Sequence, residues 1–513
     1  MKICLNIAFS FLLASPLFGQ EYRVLPIESY FKDISFYTDS SFAPIFPVTN
    51  RQVNYYGTTK EQKVRYSNVG YYVYQREPIQ LIKDNGAVWV SPILDIQMGA
   101  ERGDTNMRQY LNVRGLRIEG SMKNKVFFSG SFYENQAILP YYLQQYVTNR
   151  GEFYPNGADS TYRQVNAVIP GSARTKPFKT NGFDYAYATG IVQWQVFKNL
   201  SVSAGNNPIF IGSGYRSVIY SDNSLPTMNF RVNYSLGKKW NFQLIRMQGL
   251  NMLRVPYSSN GEALYERKAL SLGAIYFQPT EHLRIGLIEG GTWTRGDSIQ
   301  KQAVEGGFYI PLPGAATIQE GINGKSYAYL ALDFNWRIWK LLLYGQYGRN
   351  PYTKYSDVGQ IGVRYWPFKS HNYLVHIEYN HTSMNAYKAA NPRIHYSNFN
   401  LPIGHPMGAG TDEVILRLRA EWNHLYVSSS TNYYINQSDN YRQLLPVYEF
   451  IPWRNQHVLY QNLELGYSFN HIYGLEVFGS VKLRMLDHYY YDKQSYWFNV
   501  GIRTALNNHY FDF

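Results

Sequence analysis

Cysteine is all but missing: the 513-residue chain has one, Cys4, near its start. Beyond that position disulfides, a thiol nucleophile and cysteine-based metal sites are excluded. Charge is also scarce, with Asp, Glu, Lys and Arg at 17 % against the roughly 25 % of an ordinary soluble protein. Disorder needs high charge and few aromatics, and aromatic residues here reach 17 %. Past residue 18 no apolar run is long enough for a membrane-spanning helix. What is abundant is tyrosine, at 49 residues, followed by 41 glycines. A hydrophobic fraction of 45 % coexists with a mean hydropathy of −0.36, so the apolar mass is largely aromatic and interleaved with polar residues.

Met1-Lys2 leads into an almost unbroken apolar stretch from Ile3 to Phe18, which ends at Gly19-Gln20-Glu21. This pattern predicts a secretory signal over residues 1–19, cleaved after Gly19. Cys4 lies at the front of the signal rather than behind its apolar core, so no lipid anchor is expected. Loss of Lys2 lowers the net charge from +13 to +12. An excess of that sign in an exported chain points to lipopolysaccharide or anionic glycans as partners, and not to nucleic acid.

Period-2 alternation recurs from about residue 87 onward and is the main structural signal. Ala328, Leu330, Leu332, Phe334 and Trp336 share one face; Tyr327, Tyr329, Ala331, Asp333 and Asn335 share the other. Val414, Leu416, Leu418, Ala420 and Trp422 oppose Ile415, Arg417, Arg419 and Glu421 in the same way. Segments of this kind, about 9–11 residues long, suit tilted strands that cross a bilayer. Trp89, Trp194, Trp240, Trp336, Trp339, Trp366 and Trp422 fall at segment ends, as the interfacial girdles of such proteins require. Residues 87–513 are therefore predicted to form an all-β, transmembrane antiparallel β-barrel of about 14–18 strands in the outer membrane. Residues 20–86, broken by Pro26, Pro44 and Pro47, are predicted to be a short periplasmic or plug-like N-terminal segment. Tyr510-Phe511-Asp512-Phe513 reads as the aromatic end of the last strand. Loops are predicted over 146–180, 306–325 and 386–410.

Three clusters could carry function. The first runs from Gly205 to Asn223 and holds Gly212-Ser213-Gly214-Tyr215-Arg216-Ser217. Its glycines permit a tight bend, and Arg216 is expected to pair with Asp222. It is not a nucleotide loop, because the third glycine and the following helix are missing. The second is Glu134-Asn135-Gln136 beside Tyr133, Tyr141 and Tyr142, groups that hold sugars by hydrogen bonding and stacking and that equally fill a wet lumen. The third joins His376, Glu378 and Asn380 on one strand face to His405-Pro406-Met407-Gly408-Ala409-Gly410 and Glu413. A His/Glu metal pair is geometrically available there, but the spacing is not that of a metalloprotease helix, and neither metal nor other cofactor is expected. No Gly-x-Ser-x-Gly elbow supports a serine hydrolase.

The order of these motifs, with Val168-Ile169-Pro170-Gly171 between the second and the first, resembles the RemB gliding-motility proteins of Bacteroidetes over roughly residues 90–506. That family is itself similar to the Wzi capsule-assembly proteins of the outer membrane. Gly410 departs from the family pattern, in which a residue such as Asn follows the Gly-Ala pair. The resemblance implies a barrel without catalysis that takes part in gliding over surfaces or organises capsular polysaccharide. Its partners would be the bilayer, lipopolysaccharide, acidic polysaccharide or proteins of the gliding machinery. Tyr215, Arg216, Asp222, Glu134, Asn135, Gln136, Glu378 and His405 are then the candidate ligand residues. A porin suits the same alternation, and a barrel enzyme working at the rim is the remaining rival.

Overall fold

Side chains of a strand point alternately to its two faces, so a strand that is apolar on alternate positions needs fat on one side and polar partners on the other. The computed structural model describes Asp33, residues 45–47, 70, 73, 74 and 77–513, apart from 84, 104, 106, 157–160, 255–264, 296–302, 369–371, 438–443, 447–455, 489–490 and 507–508. The signal expected over 1–19 lies outside the described residues. Eighteen strands close into one antiparallel barrel. They are β1 (Gly86–Gly103), β2 (Arg108–Met122), β3 (Val126–Ile138), β4 (Gly182–Phe197), β5 (Leu200–Asn207), β6 (Thr227–Leu236), β7 (Trp240–Arg254), β8 (Tyr265–Thr280) and β9 (Leu283–Thr294). The second half is β10 (Ser326–Ile338), β11 (Leu341–Arg349), β12 (Val358–Tyr365), β13 (Tyr373–Thr382), β14 (Thr411–Trp422), β15 (Leu425–Asn436), β16 (Gln456–Asn470), β17 (Leu475–His488) and β18 (Tyr491–Arg503). Pairing of β18 with β1, from Ser495↔Gly103 to Arg503↔Asp95, closes the ring.

The predicted faces hold. Leu332, Phe334 and Trp336 are exposed on the outside, whereas Tyr327, Tyr329, Ala331, Asp333 and Asn335 are buried on the inside. Val414, Leu418 and Trp422 likewise point out, opposite buried Ile415 and Glu421. Trp194, Trp240, Trp336, Trp339 and Trp422 are exposed at the end of the barrel where the turns are short, and form one interfacial girdle. Trp89 and Trp366 do not join it, since both are buried. Trp89 occupies an inward position of β1, so its place near a segment end does not decide its face.

Connections at the opposite end are long, and several fold inward. Ile209, Ile211, Val218, Ile219 and Tyr220, from the β5–β6 connection, pack in the lumen with Tyr387, Tyr396 and Ile403 of the β13–β14 connection. They meet the inward faces of Ile245, Leu272, Tyr327 and Tyr329. Ile45–Phe46, far upstream, adds a two-residue strand to Phe210–Ile211. Tyr141–Thr148 forms helix α1, between β3 and β4. The segment 306–325 carries helix α2, Ala315–Asn323, instead of being irregular throughout.

The end of the chain corrects the sequence reading. The last strand stops at Arg503, and Tyr510–Phe513 belong to a tail inside the lumen instead of a strand end. The ring of Phe513 lies 4.4 Å from that of Tyr146, and Arg484 Nε donates to the Phe513 main-chain oxygen at 3.1 Å. The lumen already holds aromatic and cationic partners for these residues, so alternation of Phe511 and Phe513 reflects docking within the barrel and not a lipid-facing strand.

Outward burial in lipid has a direct consequence. Leu465 lies near the middle of β16 and is 58 % exposed on the outer face. Leu465→Arg should cost about 2–4 kcal/mol of folded stability, read as a lower denaturant midpoint in bilayers of the heat-modifiable barrel band. An unchanged midpoint would mean that this face is not in lipid.

Candidate functional site

The β5–β6 connection turns sharply into the lumen at Gly212, where φ is 101°. A Cβ there would lie 2.1 Å from Gln346 Nε2, and one at Gly214 would lie 2.7 Å from oxygens of Gln360 and Glu378. Gly212 is favoured by its positive φ, and at Gly214 a Cβ would also lie 2.4 Å from the Arg216 main-chain oxygen. The approach brings Tyr215 and Arg216 against β11–β14.

Arg216 has no solvent exposure. Its Nη2 and Nε donate to the two oxygens of Glu413 at 2.9 and 3.2 Å, and its Nη1 donates to Asp512 Oδ1 at 2.9 Å. Burial alone would lower the basicity of this guanidinium, but Asp512 and Glu413 outweigh burial and raise it well above its ordinary value. Glu413 Oε2 also lies 2.8 Å from His405 Nε2 and accepts from Asn380 Nδ2 at 3.2 Å. Asp512 in turn accepts from the Tyr215 hydroxyl at 2.8 Å and from Asn432 Nδ2 at 2.8 Å. The Arg216 cation sits 5.0 Å from the ring centroids of both Tyr215 and Tyr510.

Glu378 is the second anchor. It accepts from the main-chain amides of Tyr215 at 2.7 Å and Arg216 at 3.1 Å, from the Tyr344 hydroxyl at 2.6 Å and from Asn380 Nδ2 at 2.9 Å. The loop backbone is further tied to the wall by Gln360 Nε2, which donates to Arg216 O at 3.1 Å, and Arg364 Nε, which donates to Ser213 O at 2.9 Å. Arg364 and Arg417 both pair with Asp33, a residue of the leading segment. Burial would raise the Asp33 pKa, but these cations hold it down at about 2.

Five of the eight candidate residues thus enter one buried network: Tyr215, Arg216, Glu378, His405 and, through Tyr510, Asp222. The expected Arg216–Asp222 pair is not formed. Asp222 accepts from the Tyr510 hydroxyl at 2.6 Å, while Arg216 takes the better-placed, bidentate Glu413. The other three candidates are split by the strand period. Asn135 faces inward and donates to Tyr185 O at 3.0 Å. Glu134 and Gln136 occupy outward positions, and Glu134 lies 3.6 Å from Arg114 on the exposed wall. Sequence reading missed Asp33, Tyr344, Gln346, Gln360 and Arg364 as members of the network. Inward polar positions on neighbouring strands were the only signal for the four wall residues, pairing order does not follow from spacing, and Asp33 lies in the leading segment, outside that pattern. Asp512 was read as part of a strand end.

Beside the network, a cavity of about 380 Å³ runs along β1, β2 and β14–β18 below helix α1. Asp95, Glu464 and Glu476 line it together with Arg417, Lys482 and Arg503, so its charge is mixed. Among the described residues no group of three His, Cys, Asp or Glu side chains could hold a metal ion. Glu413, Glu378 and Asp512 each accept from several donors, which suits a clamp.

No protein-family model and no curated protein match the chain. Among solved structures it is similar to Wzi of Escherichia coli, an outer-membrane protein involved in group 1 capsule assembly and described as a carbohydrate-binding β-barrel. The TM-score is 0.52 at 13 % identity, covering 95 % of this chain and 100 % of Wzi. OprD of Pseudomonas aeruginosa matches at TM-score 0.39 and 10 % identity over 82 % of this chain and 96 % of its own. OpdK of the same organism, solved with vanillate, matches at 0.41 and 10 % over 80 % and 97 %. The fold is that of outer-membrane barrels.

Replacing Arg216 by Met would leave Glu413 and Asp512 buried without their cation. The variant should lose about 3–5 kcal/mol, measured by denaturant unfolding of the purified barrel. A midpoint equal to wild type would remove Arg216 from its place at the centre of the network.

Proposed function

We propose that this chain is a non-catalytic outer-membrane protein that holds an acidic surface polysaccharide on the outside of the cell. One observation carries the reading. A barrel similar in fold to Wzi along nearly its whole length has its lumen occupied by its own connections, which suits a rigid support for outer loops better than a passage. The resemblance to RemB supports a role in gliding over surfaces, in which the same held polysaccharide would meet the substratum. The signal over residues 1–19 would deliver the chain to the periplasm, and the short-turn end would face inward, as in other barrels of this kind.

Because Tyr215, Arg216, Glu378 and His405 are consumed inside the lumen, ligand binding passes to the long-loop end. The β11–β12 connection there presents Tyr352, Lys354 and Tyr355, all exposed. A lysine between two tyrosines offers an acidic sugar a counter-charge and faces to stack on.

Two measurements test this. Lys354→Ala with Tyr355→Ala should weaken binding of the cell's own acidic polysaccharide roughly tenfold or more, at about 1 kcal/mol for each side chain removed, while the Arg216 network stays intact. A deletion strain should lose polysaccharide retention, spreading on agar, or both. Wild-type behaviour in both assays would overturn the proposal.

A further inference from the structure

The outer wall of β7–β10 turns from apolar to polar within a few residues of the girdle. Phe242, Ile275, Leu287 and Leu332 make one apolar outward row across these strands. Two rows further from the girdle, the outward positions are Arg246, Ser271, Gly291 and Ala328, with Glu289 between the two rows. Six residues separate Trp240 from Arg246, a rise of about 15 Å on a tilted strand, whereas the apolar band of such barrels is about 25 Å tall. Here the strands leave the band before the membrane ends.

The segment Glu305–Asn323 covers this gap. Arg246 Nε donates to Phe308 O at 2.6 Å and its Nη2 to Ile310 O at 2.5 Å. Glu289 accepts from the amides of Gly314 at 2.7 Å and Thr317 at 2.9 Å and from the Thr317 hydroxyl at 2.7 Å, so a wall carboxylate caps the start of helix α2. Gln319 accepts from Trp293 Nε1 at 3.1 Å, and Ala316 is buried against the wall beside Gly291. Helix α2 is thus inside out for a helix in water: Thr317 and Gln319 bond to the protein, while Ile318 and Ile322 are 63 % and 77 % exposed. Leu312 and Tyr309 extend the same apolar surface.

We infer that Glu305–Asn323 is a lipid-embedded belt: it lies outside the barrel in the outer leaflet and presents Leu312, Ile318 and Ile322 to acyl chains. The belt satisfies the wall groups Arg246 and Glu289, which lipid would leave unpaired, and completes the apolar band that β7–β10 lack. Its occupant is lipid because its apolar surface continues the lipid-facing row of Leu287 and Leu332. The belt touches the loop assigned to polysaccharide, since the Tyr352 hydroxyl donates to Thr317 O at 3.0 Å, but its burial in lipid does not depend on that reading.

Cys4, the only cysteine, lies in the segment expected to be cleaved, so a single introduced cysteine can be labelled cleanly in the exported protein. Leu312→Cys, Ile318→Cys and Ile322→Cys would each carry a bimane probe in full-length protein in proteoliposomes containing brominated phosphatidylcholine. Leu332→Cys is the lipid-facing reference and Tyr355→Cys the water-facing one. Quenching at all three belt positions should fall within about twofold of Leu332→Cys and exceed Tyr355→Cys several-fold. Quenching at the level of Tyr355→Cys would overturn the belt, as would crosslinking between copies through Ile322→Cys without lipid quenching.

Discussion

A guanidinium with no access to water must be neutralised by the protein around it, and Arg216 obtains its counter-charges from distant parts of the chain. Glu413 comes from β14 and Asp512 from the tail beyond β18, while Arg216 itself rides on the β5–β6 connection. His405, on the β13–β14 connection, is held to the far side of the same Glu413. Removal of any one segment strands a charge in the lumen, so the connections and the tail hold one another in place. The closed barrel supplies the fixed frame on which Glu378, Gln360 and Arg364 grip the loop backbone.

This mutual dependence divides the lumen. On the β7–β10 side the inward tyrosines and aliphatic residues form a packed core with the inserted loops. On the side of β1, β2 and β14–β18 a mixed-charge cavity remains beneath helix α1. Polar groups on the outer wall obey the same requirement as those inside. Arg246 and Glu289 are satisfied by a covering segment, just as Arg216 is satisfied by the tail.

The barrel was legible in the sequence because period-2 alternation is a local property: Leu332 and Asp333 declare their faces without reference to any partner. Residues that reach the Arg216 network were legible one at a time, through glycine spacing around Ser213 and polar runs near Glu378 and His405. Their pairing was not. Arg216 and Asp222 are close in sequence, but the rigid loop turns them to different partners, and Glu413 and Asp512 lie about 200 and 300 residues away. The strand period that revealed the barrel also separates Asn135 from Glu134 and Gln136, which adjacency alone had grouped as a site. Phe513 has the aromatic character of a terminal strand residue, and only the three-dimensional pocket of Tyr142, Tyr146 and Arg484 shows where its ring goes.

The inserted connections and the tail occupy much of the lumen, and a barrel so occupied should support its outer loops and not conduct. Conductance of the purified protein in planar bilayers is the direct test. Insertion without steady current is the predicted result, whereas a stable ohmic conductance of open-pore size would contradict it.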